Sequence, residues 1–205
     1  SRIFALTGIS VPVFWLGLML ILIFYSRFGW FPAPVGTLDI GLTPPGSITR
    51  LYVLDSILTG NLKTLGNSIY HLILPAFCLG WLQTALIMRM MRSSMLEVIR
   101  AEYIKTARAK GLSERVVIYK HALKNAMIPT TTVIGLSVGY MFAGAIMTEA
   151  VFNWNGMGTY LINGINHMDY PAIMGFVLLT AFIYALTNLI VDLLYGVLDP
   201  RIRYG

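Results

Sequence analysis

The sequence predicts an all-α fold: a polytopic bundle of transmembrane helices with one helix-turn-helix loop on its charged side. Three observations predict it. Of the 205 residues, 57% are hydrophobic and only 12% are charged, against about 25% charged in a soluble domain, and the mean hydropathy is +0.72. Four stretches come close to the roughly 20 apolar residues needed to cross a hydrocarbon core of about 30 Å. Basic residues crowd into one of the connections between those stretches and thin out in the others. So few charges cannot cover a water-facing surface, and lipid is the expected solvent.

The chain reads as one membrane domain over 1–205, with spans at about 3–25, 69–91, 128–152 and 172–195. The first is too long for a cleavable signal and runs into an aromatic boundary. Because a full span follows Ser1 almost at once, the start is expected to be truncated. Trp30 and Phe31 after the first span and Trp154 after the third are interfacial residues. Pro32 to Pro45 reads as irregular, and Ile48, Leu51 and Tyr52 suggest a short surface helix beyond it. The spans carry interior Pro and Gly: Pro12 and Gly17, Pro75 and Gly80, and Gly175. Membrane helices tolerate them because neighbours satisfy the freed backbone groups. Gly135, Gly139 and Ala143 recur at four-residue spacing in the third span, a face suited to close helix packing.

Orientation follows from Lys and Arg. Nine lie between Arg89 and Lys124, three between Ser26 and Ser68, and none between Asn153 and Tyr170. The positive-inside rule places the 92–127 loop and both ends in the cytoplasm. Membrane orientation and anionic lipid account for the basic balance, so no nucleic-acid partner is needed.

The loop has a pattern as well as a charge. Val98, Ala101, Ile104 and Ala107 continue an apolar stripe at helical spacing, so the second helix is expected to run on to about Lys110. Gly111 suits a helix stop and Ser113 an N-cap. A second amphipathic helix follows, with Val116, Tyr119, Leu123 and Met127 on one face, and Pro129 near the start of the third span. An ordered, partly apolar hairpin of this kind calls for a protein to cover it.

Elsewhere the candidates are few. Glu149, near the outer end of its span, is a pathway or outer-face residue; Asp192, near the inner end, is placed to pair with Arg201 or Arg203. His71 is read as a bundle-facing residue with a backbone partner, and Cys78 as a small buried one. One cysteine and three scattered histidines make no metal site. No GxxxxGK[ST] loop occurs, so the chain is expected to bind no cofactor. An intramembrane enzyme built on His71, Glu149 or Asp192 is disfavoured by their different depths, while a scaffold recruiting a cytoplasmic partner remains a rival to transport.

The run EYIKTARAKGLSERVVIYKHALKNAMIP (Glu102 to Pro129) resembles the cytoplasmic signature loop of ABC-importer permeases, in the form found in dipeptide, oligopeptide and nickel permease subunits. PVFWLGLMLI, HLILPA, TEAVFNWNGMG, DYPAIMG and VDLLYGVLDPRIRY resemble the same family, in order along the chain. The resemblance implies a six-span subunit of which the last four spans are present. It implies a prokaryotic plasma-membrane location, and partners comprising two ATP-binding cytoplasmic subunits, a second, homologous permease subunit and an extracytoplasmic solute-binding protein. ATP and Mg²⁺ would be held by the ATPase subunits. The coupling residues it implies are Lys105, Thr106, Ala107, Arg108, Ala109, Lys110, Gly111, Leu112 and Ser113, with Thr106 and Ala107 at the motif's paired alanines. Lys105 stands where the general motif has glutamate, and Gly111 lies 18 residues before Pro129, more than in the general pattern. Peptides are the implied cargo, with nickel and oligosaccharides as alternatives within the family.

Overall fold

The computed structural model describes residues 11–198, whose regular structure is entirely helical. Helix α1 (Val13–Leu20) runs into a π-helical stretch, Ile21–Arg27. The short α2 (Tyr52–Leu58) precedes α3 (Leu62–Ile99). Next come α4 (Glu102–Ala109) and α5 (Glu114–Val116). The latter continues through π-helical Val117–Ala122 into α6 (Leu123–Phe152). α7 (Met157–Asn166) and α8 (Tyr170–Leu198) complete the order. Leu62–Ile99, Glu114–Phe152 and Tyr170–Gly196 are long and apolar enough to cross a membrane, and Val13–Arg27 is a shorter apolar helix. Residues 3–10 of the first expected span, and the Arg201 and Arg203 partners expected for Asp192, lie outside the described residues. With 38 residues, α3 is about 57 Å long at 1.5 Å per residue, so it extends well past a 30 Å hydrocarbon core.

The described chain forms two compact units, Gln83–Tyr140 with residues 178–198, and residues 11–82 with Met141–Val177. In the first, α6 and α8 approach closely through glycine. A Cβ at Gly135 would lie 2.6 Å from Val191 Cγ2, and one at Gly139 would lie 3.1 Å from the Tyr184 ring. Lipid gives helices no hydrophobic reason to associate, so close backbone approach and packing must do so. Ala143, the third residue of that stripe, is exposed. The Thr132 and Tyr195 hydroxyls hydrogen-bond between the same helices. Pro129 falls inside the helix rather than near its start, because the second loop helix runs into the span without interruption. The adjacent Thr130 and Thr131 hydroxyls donate to the carbonyls of Ala126 and Met127, each at 2.8 Å.

In the second unit Leu20, Leu74, Cys78 and Phe152 form a buried cluster. Cys78 is fully buried and its Sγ donates to the Val13 carbonyl at 3.1 Å. Pro12 is the N-cap of α1 and not an interior residue, which suits its lack of an N–H. The expected backbone partner of His71 is corrected to a carboxylate. Its Nε2 lies 3.0 Å from Asp39 Oδ1, with the His71 side chain 2% exposed and that of Asp39 49%. Asn67 holds Asp39 from its other side: Nδ2 donates to Oδ2 at 2.5 Å and Oδ1 accepts the Asp39 amide at 3.0 Å. The Asn67 hydrogen bond, with the His71 contact, keeps the Asp39 carboxyl below the usual range against the effect of its partial burial. This cluster pins the Pro-rich segment to α3.

Asp55 fixes the segment just before α2. Its Oδ1 accepts the Thr49 amide and hydroxyl, both at 2.7 Å, and its Oδ2 accepts the amides of Arg50 at 3.0 Å and Ile48 at 3.3 Å. Arg50 is in the left-handed region at φ 65, which turns its amide inward. Burial raises the carboxyl pKa, but the hydrogen bonds from Thr49, Ile48 and Arg50 outweigh it and hold it below the ordinary 3.8. A depressed carboxylate stabilises the fold above its ordinary pKa and loses that contribution as pH falls through the folded one. Asp55→Ala is therefore expected to accelerate amide hydrogen exchange at Thr49 and Arg50 at neutral pH. In the native chain the same protection disappears only below pH 3.8, after correction for intrinsic exchange.

Candidate functional site

Helices α4 and α5 are the arms of a hairpin whose inside is apolar. Ile104 and Val117 are fully buried, with Ala107 and Ala122 beside them, and Met95, Val98 and Ile99 at the end of α3 pack on this cluster. Here the expectation of one helix running to about Lys110 is corrected. The helix ends at Ile99, and Ala101 is extended (φ −67, ψ 147) as the N-cap of a separate helix. The stripe at 98, 101, 104 and 107 buries itself by folding back, which a straight helix would not allow. Alanine is a good helix former, so this break comes from tertiary burial and not from local propensity.

The turn is built on Gly111. Its φ of +75 is in the left-handed region, and its amide donates to the Arg108 carbonyl at 2.9 Å. Nothing lies within 4 Å of the position a Cβ would take, so a larger residue meets only backbone strain. Gly111→Val is expected to weaken the hairpin by about 1–2 kcal/mol and Gly111→Asn by less, since asparagine tolerates this region. Hydrogen exchange across the two arms measures the difference. Ser113 occupies the N-cap position of α5, but its hydroxyl makes no capping hydrogen bond.

A two-pronged ion pair closes the hairpin across the turn. Arg108 Nη2 donates to Glu114 Oε1 at 2.6 Å and Nε donates to Oε2 at 3.1 Å. The Arg108 hydrogen bonds hold the Glu114 carboxyl below its usual range, and the same contact pushes the guanidinium up. Such fork-to-fork pairs add direction as well as attraction. On α4, Lys105 pairs with Glu102 at 2.7 Å and the Thr106 hydroxyl donates to the Glu102 carbonyl at 3.1 Å. Reversing the first pair in one chain, Arg108→Glu with Glu114→Arg, is expected to restore hairpin protection that either single change lowers. Hydrogen exchange of the three variants checks it.

Of the coupling residues singled out by resemblance, Lys105, Thr106 and Arg108 through Ser113 are exposed along one side and the apex; Ala107 is buried in the cluster. Leu112 is 40% exposed at the tip, and Tyr103 and Tyr119 present further apolar surface to solvent. The hairpin thus has a closed interior, a braced turn and an uncovered apolar apex ringed with basic groups.

Glu149 belongs to the other unit, where its carboxylate meets the first turn of α7. Oε2 accepts the Thr159 amide at 2.7 Å and hydroxyl at 3.1 Å, and Oε1 accepts the Gly158 amide at 3.2 Å. A carboxylate there complements the positive end of the helix. Gly158 permits the approach, since a Cβ would lie 2.7 Å from Ile146 Cα. Sequence reasoning missed α7 itself, although Met157, Leu161, Gly164 and Ile165 fall at helical spacing.

Residues 1–204 match the family described as binding-protein-dependent transport system inner membrane component. The chain belongs to this family. The dipeptide transport system permease protein DppB of Alkalihalophilus pseudofirmus is 52% identical over 204 residues, covering 100% of this chain and 61% of that protein. A probable D,D-dipeptide transport system permease protein, DdpB, of Escherichia coli is 47% identical over 100% of this chain and 60% of its own length. The oligopeptide transport system permease protein AppB of Bacillus subtilis is 38% identical over 96% of this chain and 56% of its own length. The chain thus spans about three fifths of the length of these relatives. The hairpin is charged and exposed, and it lies in the chain between two helices long and apolar enough to cross a membrane.

Proposed function

We propose that the chain is the major part of one permease subunit of an ATP-driven peptide importer, and that the hairpin from Glu102 to Ala122 docks a separate ATPase. The single observation that carries the docking reading is the contrast within the hairpin: a fully buried Ile104–Val117 interior beneath an apex with Leu112 exposed. A membrane-surface loop has no need of a braced turn, whereas a rigid lever does. Peptide as cargo is supported by the dipeptide and oligopeptide permeases among the relatives.

In this reading the hairpin and both chain ends face the cytoplasm, following the Lys and Arg distribution. The hairpin side chains Lys105, Thr106, Arg108, Lys110 and Leu112 contact the ATPase, while Ala107 and Gly111 set the shape that presents them. ATP and Mg²⁺ are held on two ATPase subunits. A second, homologous permease subunit completes the pathway, and an extracytoplasmic binding protein delivers the peptide. Glu149 serves within its own unit by holding the first turn of α7 in place. The test is co-expression of the full-length protein with its partners and purification in mild detergent. The ATPase is expected to co-purify and the complex to take up peptide in vesicles; a complex that assembles without ATPase contradicts the proposal.

A further inference from the structure

In the unit formed by Gln83–Tyr140 and residues 178–198, a groove of about 350 Å³ opens between α3 and α6. Among the residues lining it is Gln83, 7% exposed, whose carbonyl oxygen has no hydrogen-bond partner among the described residues. Gln83 falls within the 69–91 apolar window, at a depth where water is scarce and an unpaired amide oxygen is costly. Across the groove, the buried Ser137 donates its hydroxyl hydrogen to the Val133 carbonyl at 2.6 Å, so it offers Gln83 nothing. Arg89 lines the same groove and is exposed, as is Tyr140. Lipid chains carry no donor, and hydrocarbon filling the groove would leave the amide unsatisfied. The missing partner must bring an N–H or O–H donor, and Arg89 favours one that also brings an anion.

We infer that this groove is a peptide-contact station in the membrane, with the Gln83 carbonyl accepting a peptide N–H and Arg89 facing the C-terminal carboxylate. The inference rests on the importer reading above. Six residues separate Gln83 from Arg89, about 9 Å along the helix. In a dipeptide the one amide N–H and the carboxylate belong to the same residue, so the long, flexible Arg89 side chain rather than the length of the peptide bridges that rise, and both groups line the one groove. Ser137, with its hydroxyl hydrogen committed, presents lone pairs to further donors of the peptide.

The test uses the complete transporter in proteoliposomes with its binding protein. Uptake of a dipeptide is compared with uptake of its N-methyl analogue, which lacks the amide hydrogen. Gln83→Leu is expected to reduce the native preference for the unmethylated peptide about two- to tenfold, the range of one neutral hydrogen bond. The binding protein's own selectivity cancels in that comparison. Arg89→Gln is expected to reduce the preference for a free carboxylate over a C-terminal amide in the same way. Subunit composition should not change. An unaltered preference in Gln83→Leu overturns the inference, and so does loss of the second permease subunit from the purified complex, which would make the groove a subunit contact. A native complex that takes up no peptide contradicts the importer reading itself, whereas normal uptake with unaltered preference sinks only the groove.

Discussion

Leu112→Asp is expected to leave the chain folded and inserted while disconnecting ATP hydrolysis from uptake. The side chain is 40% exposed at the hairpin apex and outside the buried cluster, so the fold does not depend on it. Burying a fully exposed leucine is worth about 1.5–3 kcal/mol, so covering the 40% of Leu112 still open is worth about 0.6–1.2 kcal/mol, or about 3- to 8-fold in affinity for a docked partner. An aspartate there loses that contribution and must shed water from a charge. The measurement is a pair of rates in the reconstituted complex: binding-protein-stimulated ATP hydrolysis and peptide uptake. Uptake should fall by at least about tenfold, with hydrogen exchange in the hairpin unaltered.

Ile104→Ala should act by the opposite route. Ile104 is fully buried against Ala107, Val117 and Ala122. Truncating such a residue costs about 2–5 kcal/mol, depending on how far the site collapses. Few other apolar residues hold the hairpin together, so the arms should separate before the membrane helices are disturbed. Amide exchange from Glu102 to Ala122 is expected to accelerate strongly, and ATPase co-purification to fall with it. The two substitutions separate surface from scaffold: Leu112→Asp loses docking with the hairpin intact, and Ile104→Ala loses docking because the hairpin is gone.

What could be read from the chain followed periodicity and composition. The long apolar windows, the stripe through Val98, Ile104 and Ala107, and the turn at Gly111 are local signals: among the described residues three helices are long and apolar enough to cross a membrane, the first window falls partly in the shorter Val13–Arg27, and Gly111 has a φ of +75. The break at Ala101 was not legible, because its cause is the packing of Ile104 on Val117, thirteen residues away. Nor was the pairing of His71 with Asp39, which joins residues 32 apart through an irregular segment. Arg108 and Glu114 gave a faint signal, opposite charges flanking a glycine turn, that becomes meaningful only once the turn reverses the chain. Gln83 gave none: a glutamine in a span looks the same whether or not its carbonyl has a partner.

In the proposed reading the apex of this hairpin enters an ATPase subunit. Site-directed cross-linking tests it most directly, in the full-length complex with the native Cys78 replaced by serine and a single cysteine placed at Leu112. A cross-link from position 112 to the ATPase, strengthened or weakened by ATP, is the expected result. No cross-link to the ATPase from position 112, alongside an efficient one from a cysteine at Lys63, which lies at the start of α3 in the 26–68 connection expected on the outer side, would contradict this reading.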